Sequence, residues 1–307
     1  MSLPPVDVIV ATRGDRDELL DDAVRSVLAQ DYPGDLGVIV VYDCDELPSR
    51  KVQATQDQHR SIRWVHHSQN HGLAAARNMG AAESDNEFIA FLDDDDLWMP
   101  EKLTAQMQLL QRFPDAPLVS TGIEILDASG RRVSRPSPQH SYRRVDLLRD
   151  RVTELHPSSF LLRHDAFDRV GGVDVNLPGG YAEDYDLLLR LADEGELLAV
   201  RQPLTMVRWT GQSYFFSRWH TIALALRYLL EKHPDFASAP AGWSRIQGQI
   251  AFAEAAMGHR RRAVGTAVSA WRRNPMEMRA PLTLLVCTGI ISADRVQQML
   301  HRRGRGI

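Results

Sequence analysis

Cysteine is almost missing from this chain. Cys44 and Cys287 are the two among 307 residues. That is too few for a disulfide framework or a multi-cysteine zinc site, and a reducing compartment is the simplest reading. Long apolar runs are missing too. Stretches such as Leu282 to Ile291 extend for about ten residues, whereas a membrane-spanning helix needs roughly twenty. No basic segment followed by an apolar one opens the chain, so no secretory signal is read from it. These absences lead to the expectation of a soluble, cytoplasmic protein, with a peripheral contact at the inner face of a membrane left open. A large charge excess is also lacking. The net charge of −4 argues against a molecule-wide trap for nucleic acid, and no nucleic-acid partner is expected. Finally, no glycine-rich dinucleotide fingerprint or Walker A loop follows the first apolar run, which disfavours nicotinamide and P-loop sites.

What is present is ordinary globular material: 44% hydrophobic and 25% charged residues, enough to bury a substantial core. The length suits one large domain and a smaller one. Charge is uneven along the chain. From His259 to Ile307 ten arginines stand against Glu277 and Asp294, leaving the remainder distinctly acidic and hinting at a second unit at the C-terminal end. The expected division is an α/β domain over residues 1–215 and a helical region, basic at its end, over 216–307.

Hydrophobic patterning supports this division. Val6 to Ala11, Val38 to Tyr42, Ile62 to Val65 and Glu87 to Leu92 are short apolar runs that suit buried parallel strands. Between them Asp17 to Gln30 and His71 to Ala82 carry a helical pattern, and Glu101 to Phe113 follows as a third helix closed by Pro114. Alternating strands and helices predict a mostly parallel sheet covered by helices, with ligands beyond the carboxyl ends of the strands. Farther on, Leu118 to Ile125 reads as a strand, Asp127 to Gly130 as a turn, and Arg131 to Gln139, with Pro136 and Pro138, as a mobile loop. Asp184 to Glu194 reads as a helix. Helical patterning then dominates over 219–232, 243–257, 260–273, 276–290 and 292–303.

The most polar residues fall at the expected strand ends. Phe88-Ile89-Ala90-Phe91-Leu92 runs into Asp93-Asp94-Asp95-Asp96 and on to Leu97-Trp98-Met99-Pro100. Four consecutive carboxylates repel one another unless a cation or water compensates. Hard divalent ions such as Mg²⁺ or Mn²⁺ favour such oxygens and bind through one or two carboxylates plus substrate phosphates; a solvated acidic turn is the plain alternative. An EF-hand starting at Asp93 fails, because Trp98 takes its sixth position and Thr104 its twelfth. Glu183 and Asp184 open a helix after a glycine-rich turn; they either cap its dipole or offer a general base to a hydroxyl nucleophile. Arg77 is a cation in an otherwise apolar helix. It serves as a structural ion pair or contacts a nucleotide or the carboxylate cluster. Asp43 ends its strand as a turn residue or as an acceptor for a base or ribose.

Together these segments resemble the family 2 glycosyltransferases of GT-A fold. The first strand and turn, Val8-Ile9-Val10-Ala11-Thr12-Arg13, correspond to the family's opening, and Ser26 to Pro33 matches its first helix end. Val40-Val41-Tyr42-Asp43 resembles the strand that runs into paired aspartates, with Tyr42 in place of the first. Asn70 to Gly80 is similar to the arginine-asparagine helix, and Leu92 to Pro100 to the metal-binding motif. His156 to Gly172 resembles the segment with a double glycine, Glu183-Asp184 the Glu-Asp pair, and Arg208-Trp209-Thr210-Gly211-Gln212-Ser213 the loop that closes over the donor. The resemblance covers roughly residues 6–215; Tyr42 and the Ala11-Thr12-Arg13-Gly14 turn depart from it.

The resemblance implies a metal-dependent, inverting hexosyl transfer from a UDP- or dTDP-linked sugar to an acceptor glycan, glycolipid or small molecule, in polysaccharide, cell-wall or other glycoconjugate synthesis. Asp95 is implied as the ligand of Mn²⁺ or Mg²⁺, and Asp184 as the catalytic base. Thr12, Arg13, Asp43, Arg77, Asp93 and Asp94 fall to donor nucleotide binding, and Glu183, Arg208 and Trp209 to the acceptor side or closing loop. A catalytically silent GT-A-like scaffold is the alternative. The arginine-flanked stretch from Ala263 to Trp271 is either a contact to anionic lipid or a solvated helical appendage.

Overall fold

A valine-rich strand buried along its whole length needs strands at both edges and helices over both faces, and the centre of this protein is built that way. The computed structural model describes residues 3–47, 58–68, 71–209, 215 and 217–302. In chain order it comprises β1 (Val6–Thr12), α1 (Asp17–Leu28), β2 (Leu36–Asp43), β3 (Arg60–His67), α2 (Leu73–Ala82), β4 (Phe88–Asp93), β5 (Leu97–Trp98), α3 (Lys102–Arg112), β6 (Leu118–Asp127), β7 (Arg132–Arg135), β8 (Ser141–Tyr142) and α4 (Arg144–Arg149). There follow β9 (Leu161–Arg163), α5 (His164–Arg169), α6 (Glu183–Glu194), β10 (Leu197–Trp209), α7 (Trp219–Lys232), α8 (Pro240–Ala256), α9 (Arg260–Arg273), α10 (Arg279–Cys287) and α11 (Ala293–Arg302). Asn70 and Thr210 to Ser213, named in the motifs above, lie outside the described residues.

The chain divides into two compact units. The first holds Met1–Arg144, Val152–Val175 and Glu183–Thr210; the second holds Val145–Arg151, Asn176–Ala182 and Gly211–Ile307. Two short segments from within the first two hundred residues thus group with the helical unit, a participation that no local pattern announced.

The sheet of the first unit runs β3-β2-β1-β4-β9-β6-β10-β5. Its long ladders are parallel: β1 with β2 and with β4, β2 with β3, and β6 with β10. The short β9 pairs antiparallel to both β4 and β6, so those two strands point the same way and their carboxyl ends open on one edge. The mixed α/β architecture and mostly parallel centre agree with the sequence reading. Burial explains the composition of the strands: Val6, Val8, Val10, Val38, Val40, Phe88, Ala90 and Leu92 share one core with Leu20, Val24 and Val27 of α1 and Leu103, Met107 and Leu110 of α3. On the other face α2 approaches closely because Gly80 has no side chain; a Cβ there would collide with Ile9.

Two segments differ from expectation. Residues 131–139, read as a loop, contain β7, which pairs antiparallel with β6. The preceding turn is stitched by Asp127, whose carboxylate accepts from the Ser129 and Arg131 amides and the Ser129 hydroxyl, and Gly130 takes the left-handed φ of 81° that the turn requires. Both prolines follow the strand rather than interrupt it. The long β10 was not foreseen. Pro203 sits within it where the register with β6 shifts on either side, and a proline in a strand is tolerated at such irregularities, so the apolar run reads as broken when it is only bulged.

In the second unit, a 3₁₀ turn over Pro234–Ser238 separates α7 from α8, whose first residue is Pro240. Ala263, Ala267 and Ala270 form the buried stripe of α9, and Ala251, Ala267 and Ala280 meet where α8, α9 and α10 pack. No helix among the described residues is long and apolar enough to cross a membrane.

Candidate functional site

The apolar strand β4 ends at Asp93, where the backbone turns at once: the Asp96 amide donates to the Asp93 carbonyl at 3.1 Å. This tight turn fans four carboxylates in different directions, and burial separates their roles. The side chains of Asp94 and Asp96 are 12% and 2% exposed, those of Asp93 and Asp95 26% and 27%. Asp93 and Asp95 are thus the more accessible pair, while Asp94 and Asp96 make buried contacts to neighbouring elements. Asp94 accepts from the Thr12 hydroxyl at 2.7 Å, tying the end of β1 to the turn. Asp96 accepts from the Arg208 amide at 3.0 Å and the Ser158 hydroxyl at 2.6 Å, tying β10 and the Pro157–Ser159 turn to it.

So many acids in one place shift one another. Burial pushes the Asp94 carboxyl up to about 6, with the neighbouring charge of Asp95 adding to it against the Thr12 hydrogen bond. Asp95 is raised by burial and by Asp93, and Asp96 well above the usual range by burial, Asp93 and Asp95. Burial acts on Asp93 in the same sense, but Arg77 and His156 outweigh it and hold this carboxyl below the ordinary value.

Arg77 connects the acidic turn to the start of α6. Projecting from α2 and 3% exposed, it donates to Asp93 at 2.7 Å and to Glu183 at 3.1 Å, with its guanidinium 5.5 Å from the Phe91 ring centroid. Burial works against its charge, but Asp93, Glu183 and Asp184 more than offset this and keep it protonated. Glu183 is buried, and burial pushes its carboxyl up to about 7 despite Arg77, with Asp184 contributing. Asp184 is half-buried, and its charge acts on both Arg77 and Glu183. The acidic first turn of α6 is favoured by the helix dipole, and the chain enters it through Ala182 at a left-handed φ of 68°, the kind of local strain that collects at functional sites.

Other residues singled out from the sequence lie nearby with different partners. Asp43 holds the first turn of α2: its two oxygens accept from the His71 and Gly72 amides at 3.0 and 2.8 Å. Arg13 is exposed. Arg208, besides its amide bond to Asp96, donates to Asp22 at 3.0 Å, and Trp209 ends β10 half-buried.

Sequence reasoning gave no role to Arg16 or Ser158, and named Asp96 and His156 only within longer motifs. Arg16, just before α1, donates to Asp95 at 2.7 Å and to Asp94 at 3.3 Å. Asp96 is a structural member of the acidic run. His156 and Ser158 come from the turn before β9; the Ser158 hydroxyl donates to Asp96 while accepting from the Asp93 amide at 3.1 Å. Ser158 is itself held from behind by the Trp98 indole, which donates to its carbonyl at 2.6 Å. The one signal in the sequence was the polar His-Pro-Ser-Ser ahead of an apolar run. The ligand atoms of Asp93, Asp96 and His156 lie within 4.8 Å of one another. Carboxylate oxygens suit Mg²⁺ and Mn²⁺, so the donor set fits a divalent cation, with Asp93 and Asp95 on the accessible side.

Comparison with known proteins bears on the family and the fold. The profile of the family described as "Glycosyl transferase family 2" matches residues 7–171. An uncharacterised glycosyltransferase of Haemophilus influenzae is 28% identical over 188 residues, 60% of this chain and 62% of that protein. A putative teichuronic acid biosynthesis glycosyltransferase, TuaG of Bacillus subtilis, is 34% identical over 108 residues, 35% of this chain and 42% of the other. The matched stretch thus spans less than two thirds of either relative. Among solved structures, Staphylococcus aureus TarS 1-349 in complex with UDP-GlcNAc superposes with a TM-score of 0.60 at 15% identity, covering 99% of this chain and 93% of that one, which is a likeness of fold.

Proposed function

The chain belongs to glycosyl transferase family 2, and on that footing we propose that it is a metal-dependent, inverting transferase. In this reading it moves a hexosyl group from a UDP- or dTDP-linked donor to an acceptor hydroxyl in glycan, glycolipid or small-molecule glycoside synthesis. The UDP-GlcNAc bound by the TarS relative and the teichuronic acid role named for TuaG favour a uridine donor and a cell-wall or polysaccharide pathway. The catalytic domain is residues 1–215, working in the cytoplasm.

Asp93 and Asp95 hold the cation, with His156 at the side of Asp93. Bound Mn²⁺ or Mg²⁺ supplies positive charge against the departing diphosphate. Thr12, Arg13 and Asp43, at the ends of β1 and β2, orient the nucleoside, Asp43 with the lone pairs left by its two backbone bonds. Arg77 keeps Asp93 ionised and fixes the start of α6. Glu183, tied to Arg77 and half-protonated near neutrality, is a poor base, which leaves Asp184 to take the acceptor proton. The acceptor oxygen attacks the anomeric carbon as the bond to diphosphate breaks on the opposite face, so the configuration inverts. Arg208 and Trp209 border the acceptor side. The protein's share is positioning and electrostatics.

The observation that carries this reading is the bridge from Asp93 through Arg77 to Glu183, which joins the cation-binding turn to the base-bearing helix, the Arg77–Glu183 bond alone spanning 106 residues of chain. The test is a thermal-shift screen of nucleotide sugars with Mn²⁺ and with chelator, followed by measurement of nucleotide release. Stabilisation by a UDP- or dTDP-sugar only with metal, together with release of UDP or dTDP, is expected. Binding without any turnover supports the silent scaffold instead, and no metal-dependent stabilisation by any donor overturns the proposal.

A further inference from the structure

We infer that the end of α9 and the turn after it form a docking surface for an anionic lipid bilayer. The inference stands apart from the sugar-transfer reading, because every residue it uses lies in the helical unit.

α9 contains no acidic residue. Its alanine stripe faces α8 and α10, while Arg260, Arg261, Arg262, Arg272 and Arg273 are exposed. Large apolar side chains should be covered in a solvated helix, yet Trp271 is 53% exposed, and beyond it Met276 is 81% and Met278 67% exposed. The one acid of this turn, Glu277, is 6% exposed and folded inward, where it accepts from the amide and a guanidinium nitrogen of Arg279 at 3.0 and 2.9 Å. The outward chemistry of 271–278 is therefore tryptophan, methionine and arginine with no carboxylate.

A cavity of about 340 Å³ adjoins this turn, lined by Trp243, Gly265, Val268, Ser269, Arg272 and Arg273. The Arg273 guanidinium lies 4.6 Å from the Trp243 ring centroid and also donates to the Ala237 carbonyl. Nothing lies within 4 Å of where a Gly265 Cβ would stand, so the cavity is open there. Two guanidinium groups and a hydroxyl around such a space suit a phosphodiester headgroup, and tryptophan and methionine beside it suit the boundary between headgroups and acyl chains. A second copy of this chain would bring the same arginines face to face. An anionic bilayer satisfies both the charge and the apolar exposure.

The test uses the full chain and co-sedimentation with phosphatidylcholine vesicles, with and without phosphatidylglycerol. Binding is expected only with phosphatidylglycerol, and high salt should weaken it. Arg272→Gln should weaken it about five-fold. Gly265→Glu places a carboxylate in open space, and glutamate is a better helix former than glycine, so the fold is retained while binding drops by at least as much. Gly265→Ala should bind as the parent does. Equal binding to neutral vesicles, no binding to either, or unaltered binding by Gly265→Glu would overturn the inference. So would stabilisation by soluble glycerol phosphate without vesicle binding, or self-association that buries Trp271 in solution.

Discussion

Arg16 places a guanidinium nitrogen 2.7 Å from Oδ2 of Asp95, so the most accessible carboxylate of the acidic turn already has a cation beside it. Arg16 is half exposed, and a pair of this kind contributes about 0.2–1 kcal/mol. A divalent ion must compete with it. Arg16→Ala should tighten Mn²⁺ binding to the nucleotide-free protein by about two- to five-fold, read from free Mn²⁺ by electron paramagnetic resonance. Unchanged or weaker affinity would show that Asp95 is not where the ion binds.

Asp184→Asn keeps shape and removes basicity. Metal-dependent donor binding should persist while transfer falls by about 10²–10⁴. Near-parental transfer would remove Asp184 from the role of base.

Arg77 is buried between two carboxylates, and its loss strands both. Arg77→Met should destabilise the fold by about 3–5 kcal/mol, measured by urea unfolding with chelator present. A cost below about 1 kcal/mol would mean that the bridge from Asp93 to Glu183 contributes little in solution.

Protonation at Glu183 makes stability depend on pH with a definite sign. Its carboxyl lies near 7 in the folded chain against an ordinary value of 4.5, so between those limits the native state holds a proton that the unfolded chain has released. The group's contribution is therefore fully present below about 4.5 and is lost as pH rises through 7. Asp94, raised to about 6, acts in the same sense over a lower window. Metal-free protein should lose stability to urea between pH 5 and 7.5, and Glu183→Gln, which retains an acceptor for Arg77, should flatten that slope by about 1–2 kcal/mol. An identical pH profile in the variant would refute the assignment.

Much of this architecture is visible in local pattern because β1, β2 and β4 are buried on both faces and so read as mostly apolar runs, with Asp7 the charged exception within β1. The acidic turn announces itself because four adjacent carboxylates are conspicuous wherever they occur. Arg77 was noticeable as a charge in a helix of small residues. By contrast, Ser158 and His156 carry no local sign of their partners, and β10 is disguised by the proline at its bulge.

Local chemistry determined the strands and helices of the parallel centre, and that their polar ends gather on one edge of a sheet, since periodicity and burial act over a few neighbouring residues. It also set the concentration of arginine toward the end of the chain. Tertiary structure alone decided which of four equivalent-looking aspartates remain accessible, that Arg16 sits among them, and that burial raises Glu183 while Arg77 ties it to Asp93. Those outcomes depend on desolvation and on charges brought together from positions far apart in the chain, which no window of sequence contains.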